Sequence, residues 1–286
     1  MSITKILAQK SYARVTLALD IIRQIDKGDF AGYHELNIIK HQIGIYDTIT
    51  LVESGKTELL CTDSAVPDDS RNLCLRAVEL LKNEFSLDKS VKITIEKNIP
   101  VKSGLSGGSS NAATTFILLN RLWNLGLSDS RLIDLGKKIG LDIPFYFLGK
   151  TAFDTESTGI LEKIDTGMQL DFILVFPDFG VSTEQAYKEI DYGSIGKNTG
   201  ETMHMKKGLE NGNKNAVIEN IHNDFELTVF SRYPKLKEIK NELIHTGCSS
   251  VMSGSGSTII GIAKNKEQAE KIQKKLKYNS IITKTK

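Results

Sequence analysis

Cysteine is scarce in this sequence, and its spacing excludes several kinds of site. The three cysteines, Cys61, Cys74 and Cys248, are widely separated and form no Cys-x-x-Cys pair. This excludes a Cys-x-x-Cys metal or redox motif, and the odd number argues against a disulfide framework. A reducing, cytoplasmic location is the expectation that follows.

Long apolar runs and a large charge excess are also absent. No stretch approaches the ~18 apolar residues of a membrane span. Residues 1–5 begin no apolar leader, so a signal peptide is not expected. The net charge is +2, so neither nucleic acid nor a membrane is expected as a partner. With 286 residues, 40% of them hydrophobic, the chain can form one large or two modest domains.

The most informative stretch is a Gly/Ser-rich loop between a predicted strand and a predicted helix. Apolar residues alternate over residues 91–96, as in a half-buried strand, and residues 112–123 have the pattern of a buried helix. Three glycines and four serines fall within residues 103–110. Backbone N–H groups and the helix dipole make such a junction an anion site, so we expect a phosphate cradle. A capped turn is the alternative, but it needs fewer of these residues.

The loop is of neither common nucleotide-binding type, because both the Walker pattern and Gly-x-Gly-x-x-Gly are absent from it. Its serine hydroxyls are suited to phosphate oxygens or a metal ion, and Ser109 is the candidate metal ligand. The residues expected to bind the nucleotide are Pro100, Val101, Lys102, Ser103, Gly104, Leu105, Ser106, Gly107, Gly108, Ser109, Ser110 and Asn111.

Three other positions each have two interpretations. Asp142 is the only charged residue in the run 141–149, and it is either a helix N-cap or a buried carboxylate facing a reacting hydroxyl. Arg14, on a predicted first strand, is either a solvated cation or part of a site. The pair Tyr33-His34 either binds a ring or consists of a half-buried aromatic and a surface histidine.

The remaining patterns predict structure more than chemistry. Asp47 is expected to be a turn residue within the strand region 43–52. Residues 193–215 lack periodicity and are the best candidate for a mobile surface segment. Gly254 and Gly256 indicate either a hairpin turn or a second anion-facing loop.

The phosphate loop also carries a family resemblance. Pro-x-x-x-Gly-Leu-x-Gly-Gly-Ser-Ser-Asn-Ala-Ala, from Pro100, resembles the loop of the galactokinase, homoserine kinase, mevalonate kinase and phosphomevalonate kinase (GHMP) superfamily. Within it, the chain is most similar to the 4-diphosphocytidyl-2-C-methyl-D-erythritol kinases of the non-mevalonate isoprenoid pathway. Further blocks match in order along nearly the whole chain, namely residues 32–36, 118–128, 142–145, 180–183, 223–226 and 252–257.

The resemblance implies an α+β, two-domain GHMP-kinase fold. A mixed α/β domain, residues 1–150, would carry the phosphate loop, and residues 151–286 would form a ferredoxin-like domain. The implied reaction is phosphorylation of the 2-hydroxyl of 4-diphosphocytidyl-2-C-methyl-D-erythritol by ATP with Mg²⁺. The implied partner is this small molecule alone, and the chain is expected to be a monomer or homodimer.

The resemblance also implies roles for single residues. Asp142 matches the aspartate that takes the proton from the acceptor hydroxyl. Tyr33 and His34 match residues that hold the cytosine by stacking and hydrogen bonds. A further segment would border the acceptor pocket, namely Val181, Ser182 and Thr183.

Four residues depart from the family's pattern. Arg14 and Thr16 stand where the family typically has Lys and Asn, and they are expected to serve in catalysis and acceptor binding respectively. Lys40 and His41 stand where an aromatic or Met and a Gln are usual. These departures leave two alternatives: a GHMP kinase for a different alcohol or sugar, or a nucleotide-binding homologue with weakened catalysis.

Overall fold

The computed structural model describes residues 5–286, which divide into two compact units. The first unit contains the residues up to Ala13, 45–101 and 106–149, and the second contains 14–44, 102–105 and 150–286. Two long strands, β1 (Ile6–Gln24) and β2 (His34–Glu53), contribute residues to both units. The domain boundary expected at residue 150 stays a prediction.

The first unit combines strand pairs with four helices. Strand β4 runs antiparallel to residues 48–53 of β2, and β3 runs parallel to β4. Alternate residues of β4, such as Ile93 and Ile95, are buried, as their spacing predicts. The elements of this unit beyond β1 and β2 are β3 (Glu58–Cys61), α1 (Leu73–Phe85), β4 (Val91–Glu96), α2 (Gly107–Leu122), α3 (Asp129–Lys137) and α4 (Ile143–Leu148).

The second unit is larger and contains a sheet of its own. Its further elements are β5 (Thr151–Glu156), β6 (Leu161–Lys163), β7 (Asp171–Phe176), α5 (Thr183–Lys188), α6 (Thr199–Glu210), α7 (Lys214–Glu219), β8 (His222–Asn223), α8 (Phe225–Arg232), α9 (Pro234–His245), β9 (Ser249–Met252), β10 (Ile259–Ala263), α10 (Lys266–Gln273) and β11 (Asn279–Lys284). Strand β5 pairs antiparallel with β2 and β6, and β8 pairs parallel with β1.

Strands β7, β9, β10 and β11 form an antiparallel sheet in the spatial order β11-β7-β10-β9. Helices separate β7 from β9, and α10 lies between β10 and β11 in the chain. This alternation and strand order are those of a ferredoxin-like fold, so that prediction is confirmed. A core of buried apolar residues, among them Ile173, Ile239 and Ile259, underlies the sheet.

The sequence predicts neither a membrane span nor a disulfide framework, and the described residues bear on both. Within residues 5–286 no helix is both long and apolar enough to cross a bilayer. All three cysteines are free thiols, and burial raises the pKa of Cys74 to about 12. Residues 1–4, on which part of the expectation of no leader rests, lie outside the described range.

The expectation of a mobile segment at 193–215 is wrong for most of its length. Residues 199–210 form α6, in which Met205 and Leu209 are fully buried. Its stripe is narrow, because Thr202 and Gly208 occupy the other buried positions. A narrow stripe of this kind gives little periodicity, so packing rather than pattern fixes the helix.

The expectation that Asp47 is a turn residue is also wrong. Asp47 lies inside β2 and is fully buried. Its Oδ1 accepts hydrogen bonds from the backbone N–H groups of Asn98, at 2.7 Å, and Ile99, at 2.8 Å. Its Oδ2 pairs with Lys97 Nζ at 2.9 Å. Asp47 therefore holds the backbone that enters the phosphate loop.

His41 is a second buried polar residue of β2. Its Nδ1 lies 2.8 Å from Thr151 Oγ1, and its Nε2 lies 2.9 Å from Thr285 Oγ1. Burial favours the neutral ring and lowers the pKa of His41 from 6.5 to about 4. In the unfolded chain the same ring takes up a proton near pH 6.5. Between these two pH values the unfolded state binds more protons, so the stability that His41 contributes is lost as the pH falls.

We therefore predict that His41→Gln makes the free energy of unfolding less dependent on pH between 6.5 and 4. At ~1.4 kcal/mol per pKa unit, the wild type should lose roughly 3 kcal/mol more than the variant over this range. Urea unfolding at neutral and acidic pH measures the difference. His245→Gln, on the surface of α9, is the matched control and should behave as the wild type does. Equal pH slopes in the wild type and His41→Gln would contradict the prediction.

Candidate active site

The start of helix α2 forms the part of the phosphate loop in the first unit. Ser110 N donates to Ser106 O at 3.1 Å, the first hydrogen bond into the helix. The preceding N–H groups, of Gly107, Gly108 and Ser109, come before any intrahelical acceptor is available. Because these donors lie at the positive end of the helix dipole, the junction is electrostatically suited to an anion.

Two further features of this helix start bear on ligand binding. The hydroxyl of Ser106 is buried and has no hydrogen-bond partner among residues 5–286. A Cβ added to Gly108 would meet no atom within 4 Å. The Ser106 hydroxyl is thus a polar group in need of a partner, and the space at Gly108 leaves room for a ligand against the helix start.

Ser110 and Asn111 are already engaged within the protein. Ser11 Oγ lies 2.7 Å from Ser110 Oγ and 2.8 Å from Asn111 Oδ1. Ser110 Oγ also donates to Tyr12 O at 2.7 Å. Both residues therefore attach the helix start to β1, a role that their place in the loop pattern did not reveal.

Asp142 stands at the N-cap position of α4, yet its side chain makes no capping hydrogen bond. It is partly buried, and α4 follows it at once with Ile143 and Pro144. Tyr146, one turn further on, donates its hydroxyl to Ser106 O at 3.1 Å. The helix that carries Asp142 is thus fastened to the start of α2, and capping does not occupy the carboxylate.

In the second unit, Arg14 binds the middle of the phosphate loop. Its Nη1 donates to Gly104 O at 2.8 Å and to Thr16 Oγ1 at 3.2 Å. Only 8% of Arg14 and 1% of Thr16 is exposed. The interpretation of Arg14 as a solvated strand cation is therefore wrong, and Thr16 lies beneath the guanidinium as its acceptor.

A second Gly/Ser loop, residues 253–258, packs on the same stretch. It connects the antiparallel strands β9 and β10, so the hairpin interpretation is correct. Ser253 Oγ donates to Gly104 O at 3.0 Å, and Thr258 N donates to Ser103 O at 3.2 Å. Gly104 has φ +76°, and a Cβ there would lie 2.2 Å from Ser253 O, so only glycine fits.

Asn223 binds two backbone carbonyls at the start of this second loop. Its Nδ2 donates to Met252 O and to Gly254 O, both at 2.7 Å. Asn223 is buried at the end of β8. The sequence marked residues 223–226 only as a matching block, and nothing local to them indicated this bridging role.

His34 lies in what we call the aromatic stack, which comprises Tyr187, His34 and Tyr192. The centroids of His34 and Tyr187 are 4.5 Å apart with an interplanar angle of 21°, and Tyr192 lies at 6.1 Å and 11°. His34 Nε2 is also 2.8 Å from the Tyr192 hydroxyl. Partial burial lowers the pKa of His34 below 6.5, which favours a neutral ring at pH 7.

The other residues expected to contact the acceptor differ in their surroundings. Tyr33 is 53% exposed and touches Phe30 edge-on. Val181 is buried in the core, and Ser182 caps α5 by accepting from Gln185 N. Thr183 Oγ1 lies 2.7 Å from Ser255 Oγ, in the second Gly/Ser loop.

Sequence reasoning singled out neither Tyr187 nor Tyr192. They come from different segments than His34, and no short spacing links the three.

The described part of the chain has no group of three or more His, Cys, Asp or Glu side chains that could hold a metal ion.

Comparison with known proteins identifies the family. The model of the GHMP kinases N terminal domain matches residues 72–150, and that of the GHMP kinases C terminal domain matches residues 205–281. A 4-diphosphocytidyl-2-C-methyl-D-erythritol kinase of Clostridium novyi (strain NT) is 36% identical over 96% of this chain and 99% of its own length. One of Bacillus cereus (strain B4264) is also 36% identical, over 94% of this chain and 92% of its own.

Solved structures agree on the fold. A crystal structure of 4-(cytidine 5'-diphospho)-2C-methyl-D-erythritol kinase matches with a TM-score of 0.78 and 24% identity, covering 98% of this chain and all of that one. Homoserine kinase from Cytophaga hutchinsonii matches with a TM-score of 0.76 and 15% identity, over 98% of this chain and 94% of its own. The chain therefore belongs to the GHMP kinases and, among them, to the family of the 4-diphosphocytidyl-2-C-methyl-D-erythritol kinases.

Proposed function

We propose that this kinase transfers the γ-phosphoryl group of ATP to the 2-hydroxyl of 4-diphosphocytidyl-2-C-methyl-D-erythritol. The observation that carries the proposal is the 36% identity to a relative of that name over 99% of its length. The open helix start supports a phosphate-bearing donor, and the aromatic stack supports a planar base on the acceptor.

In this proposal the phosphates of ATP bind residues 100–111. The Ser106 hydroxyl has the polarity to bond a phosphate oxygen, and the open space at Gly108 leaves room for a phosphate group. Ser109, in the first turn of α2, would hold Mg²⁺ through its hydroxyl, because this ion prefers oxygen ligands. When bound, the ion neutralises charge that develops on the transferred group.

The chemical step then needs few groups. The acceptor oxygen bonds to the γ-phosphorus, the bond from that phosphorus to the bridging oxygen breaks, and ADP leaves. Asp142 accepts the proton of the acceptor hydroxyl. A carboxylate suffices, because the transition state is loose and proton transfer can be late. Arg14 holds the loop at Gly104 and supplies a fixed positive charge in the protein.

The acceptor's base is assigned to the aromatic stack and its neighbour Tyr33. His34 is neutral near pH 7, and because its Nε2 is bonded to the Tyr192 hydroxyl, a base edge would meet its Nδ1. Tyr33 is exposed enough to close over a ring. Thr16 and the segment 181–183 are the remaining acceptor-side candidates.

The alternative was a GHMP kinase that phosphorylates a different acceptor, and Lys40 was one of the residues that suggested it. The side chain of Lys40 is fully buried, and its ammonium binds Asp154 and Glu156, each at 2.8 Å. It therefore presents no bare positive charge to a bound base, and that reason for a different acceptor weakens. A cytoplasmic location and a monomeric or homodimeric state remain predictions from the sequence.

An acceptor panel tests the proposed function. Coupled ADP release should be fast with 4-diphosphocytidyl-2-C-methyl-D-erythritol and near background with mevalonate, homoserine and galactose. Fast turnover of one of the other alcohols, with none of the cytidyl compound, would point to a different acceptor. ATP binding without transfer to any acceptor would indicate a homologue that has lost catalysis.

For the proposed base we predict that Asp142→Asn lowers kcat by roughly 100- to 10,000-fold, the usual contribution of general-base catalysis. The KM values should change little, because the amide keeps the size and polarity of the side chain. The same ADP-release assay measures both constants. Asp129→Asn, an exposed change at the start of α3, should leave them unchanged. Wild-type turnover in Asp142→Asn would remove the carboxylate from this role.

For the phosphate site we predict that Gly108→Ala raises the KM for ATP by about tenfold or more without destabilising the protein. The protein leaves room for the methyl group, and alanine favours the first turn of a helix over glycine by roughly 0.5–1 kcal/mol. Only a ligand lying against Gly108 would make the methyl group unfavourable. ATP titrations and thermal unfolding measure the two effects.

The matched control is Gly200→Ala, at the start of α6. A Cβ there also meets no atom within 4 Å, so it should give the same stability gain with an unchanged KM for ATP. If Gly108→Ala binds ATP as the wild type does, phosphates do not approach this position.

A further inference from the structure

Lys40 has a side chain that is wholly removed from solvent, which is rare for lysine. It is partnered by two carboxylates, Asp154 Oδ2 and Glu156 Oε1, both at 2.8 Å. Burying these charges together costs desolvation energy that their attraction offsets only partly. A buried ion triad is therefore weak evidence for stability.

The triad spans the register shift between strands β2 and β5. Lys40 lies opposite Ala152 on β5, but its ammonium reaches along that strand to Asp154 and Glu156. The regular pairing of the two strands is interrupted between Glu35 and Ile38. The ion pairs thus connect the strands across the place where the ladder of backbone hydrogen bonds is broken.

Glu156 is also the residue at which β5 ends. Its backbone is in the left-handed region, with φ +51°, and its N–H donates to Asp154 Oδ1 at 2.7 Å. A left-handed non-glycine residue is held in place by its surroundings. The carboxylate of Glu156 on Lys40 and its N–H on Asp154 provide that hold.

Ser157, the residue after Glu156, connects this turn to His34. Ser157 is buried, and its Oγ donates to the backbone O of His34 at 2.6 Å. His34 is the first residue of β2 and the ring of the aromatic stack that contacts both tyrosines. The position of the imidazole thus depends on the turn after β5, and that turn depends on Lys40.

We propose that Lys40 is a positioning residue for acceptor binding, which acts through Glu156 and Ser157 to fix the backbone at His34. Lys40 itself touches no substrate in this account. The inference rests on the proposed function for its kinetic consequence, but not for its structural one. Loss of the cation releases the turn, and the stack then spends less time in the arrangement that receives the base.

The first test is kinetic. Lys40→Met keeps the length of the side chain and removes the charge, so it should raise the KM for the acceptor by about five- to tenfold. The kcat and the KM for ATP should stay within about twofold, because the ATP-side residues are untouched. Ser157→Ala removes only the bond to His34 and should raise the acceptor KM similarly. The double variant should show less than the product of the two effects, since both act along one path.

Controls separate positioning from stability. Lys206→Met breaks a pair with Glu162 in the same unit, at 2.7 Å, and should leave the acceptor KM unchanged. If Lys40→Met folds poorly, Glu156→Gln weakens the same ion pair, while its amide can still accept a hydrogen bond from Lys40. It should raise the acceptor KM in the same direction but by a smaller factor. Variants that lower the unfolding temperature yet keep the wild-type acceptor KM would overturn the proposal.

A second readout does not need the acceptor. The imidazole NMR resonances of His34, assigned with His34→Gln, should shift in Lys40→Met and in Ser157→Ala but not in Lys206→Met. If the wild type turns over no cytidyl acceptor, the proposed function fails while this experiment still decides the inference. Unchanged His34 resonances in both variants would overturn it.

Discussion

Gly104 meets the backbone of Ser253 at a distance that admits no side chain at all. An added Cβ would lie 2.2 Å from Ser253 O and 2.8 Å from Gly256 O. The carbonyl of Gly104 accepts from Arg14 and from Ser253 at the same point. This close approach fixes the middle of the phosphate loop, because backbone packed on backbone cannot adjust by a change of rotamer. Arg14, Thr16 and the second Gly/Ser loop are ordered around it.

Two buried charged groups support segments to which the proposed function assigns a ligand. In the first unit, Asp47 takes the N–H groups of Asn98 and Ile99, just before the phosphate loop. In the second unit, Lys40 fixes the turn that holds His34. Each ion is expensive to bury, and each has several directed partners. Their common effect is to define local backbone geometry, which apolar contacts alone define less sharply.

Much of the fold could be predicted from local pattern. The alternation in residues 91–96 predicts β4 with its observed bounds, and Ser128 and Ser182 cap the helices that follow them. Helix α6 was missed because its buried positions include Thr202 and Gly208, which dilute the apolar signal. Asp47 was misassigned because a buried aspartate inside a strand looks, in sequence, like a turn former.

The sequence by itself determined the loop, the elements on either side of it and the family, since these depend on residues close together in the chain or on ordered motifs. Tertiary structure alone decided which side chains meet. Arg14 and Gly104 are 90 residues apart, and Lys40 and Asp154 are 114 apart. Such pairs form only once strands have paired in a specific register, and register depends on the packing of the whole unit. For that reason the chemistry could be inferred from the chain, whereas the support behind His34 could be seen only in the fold.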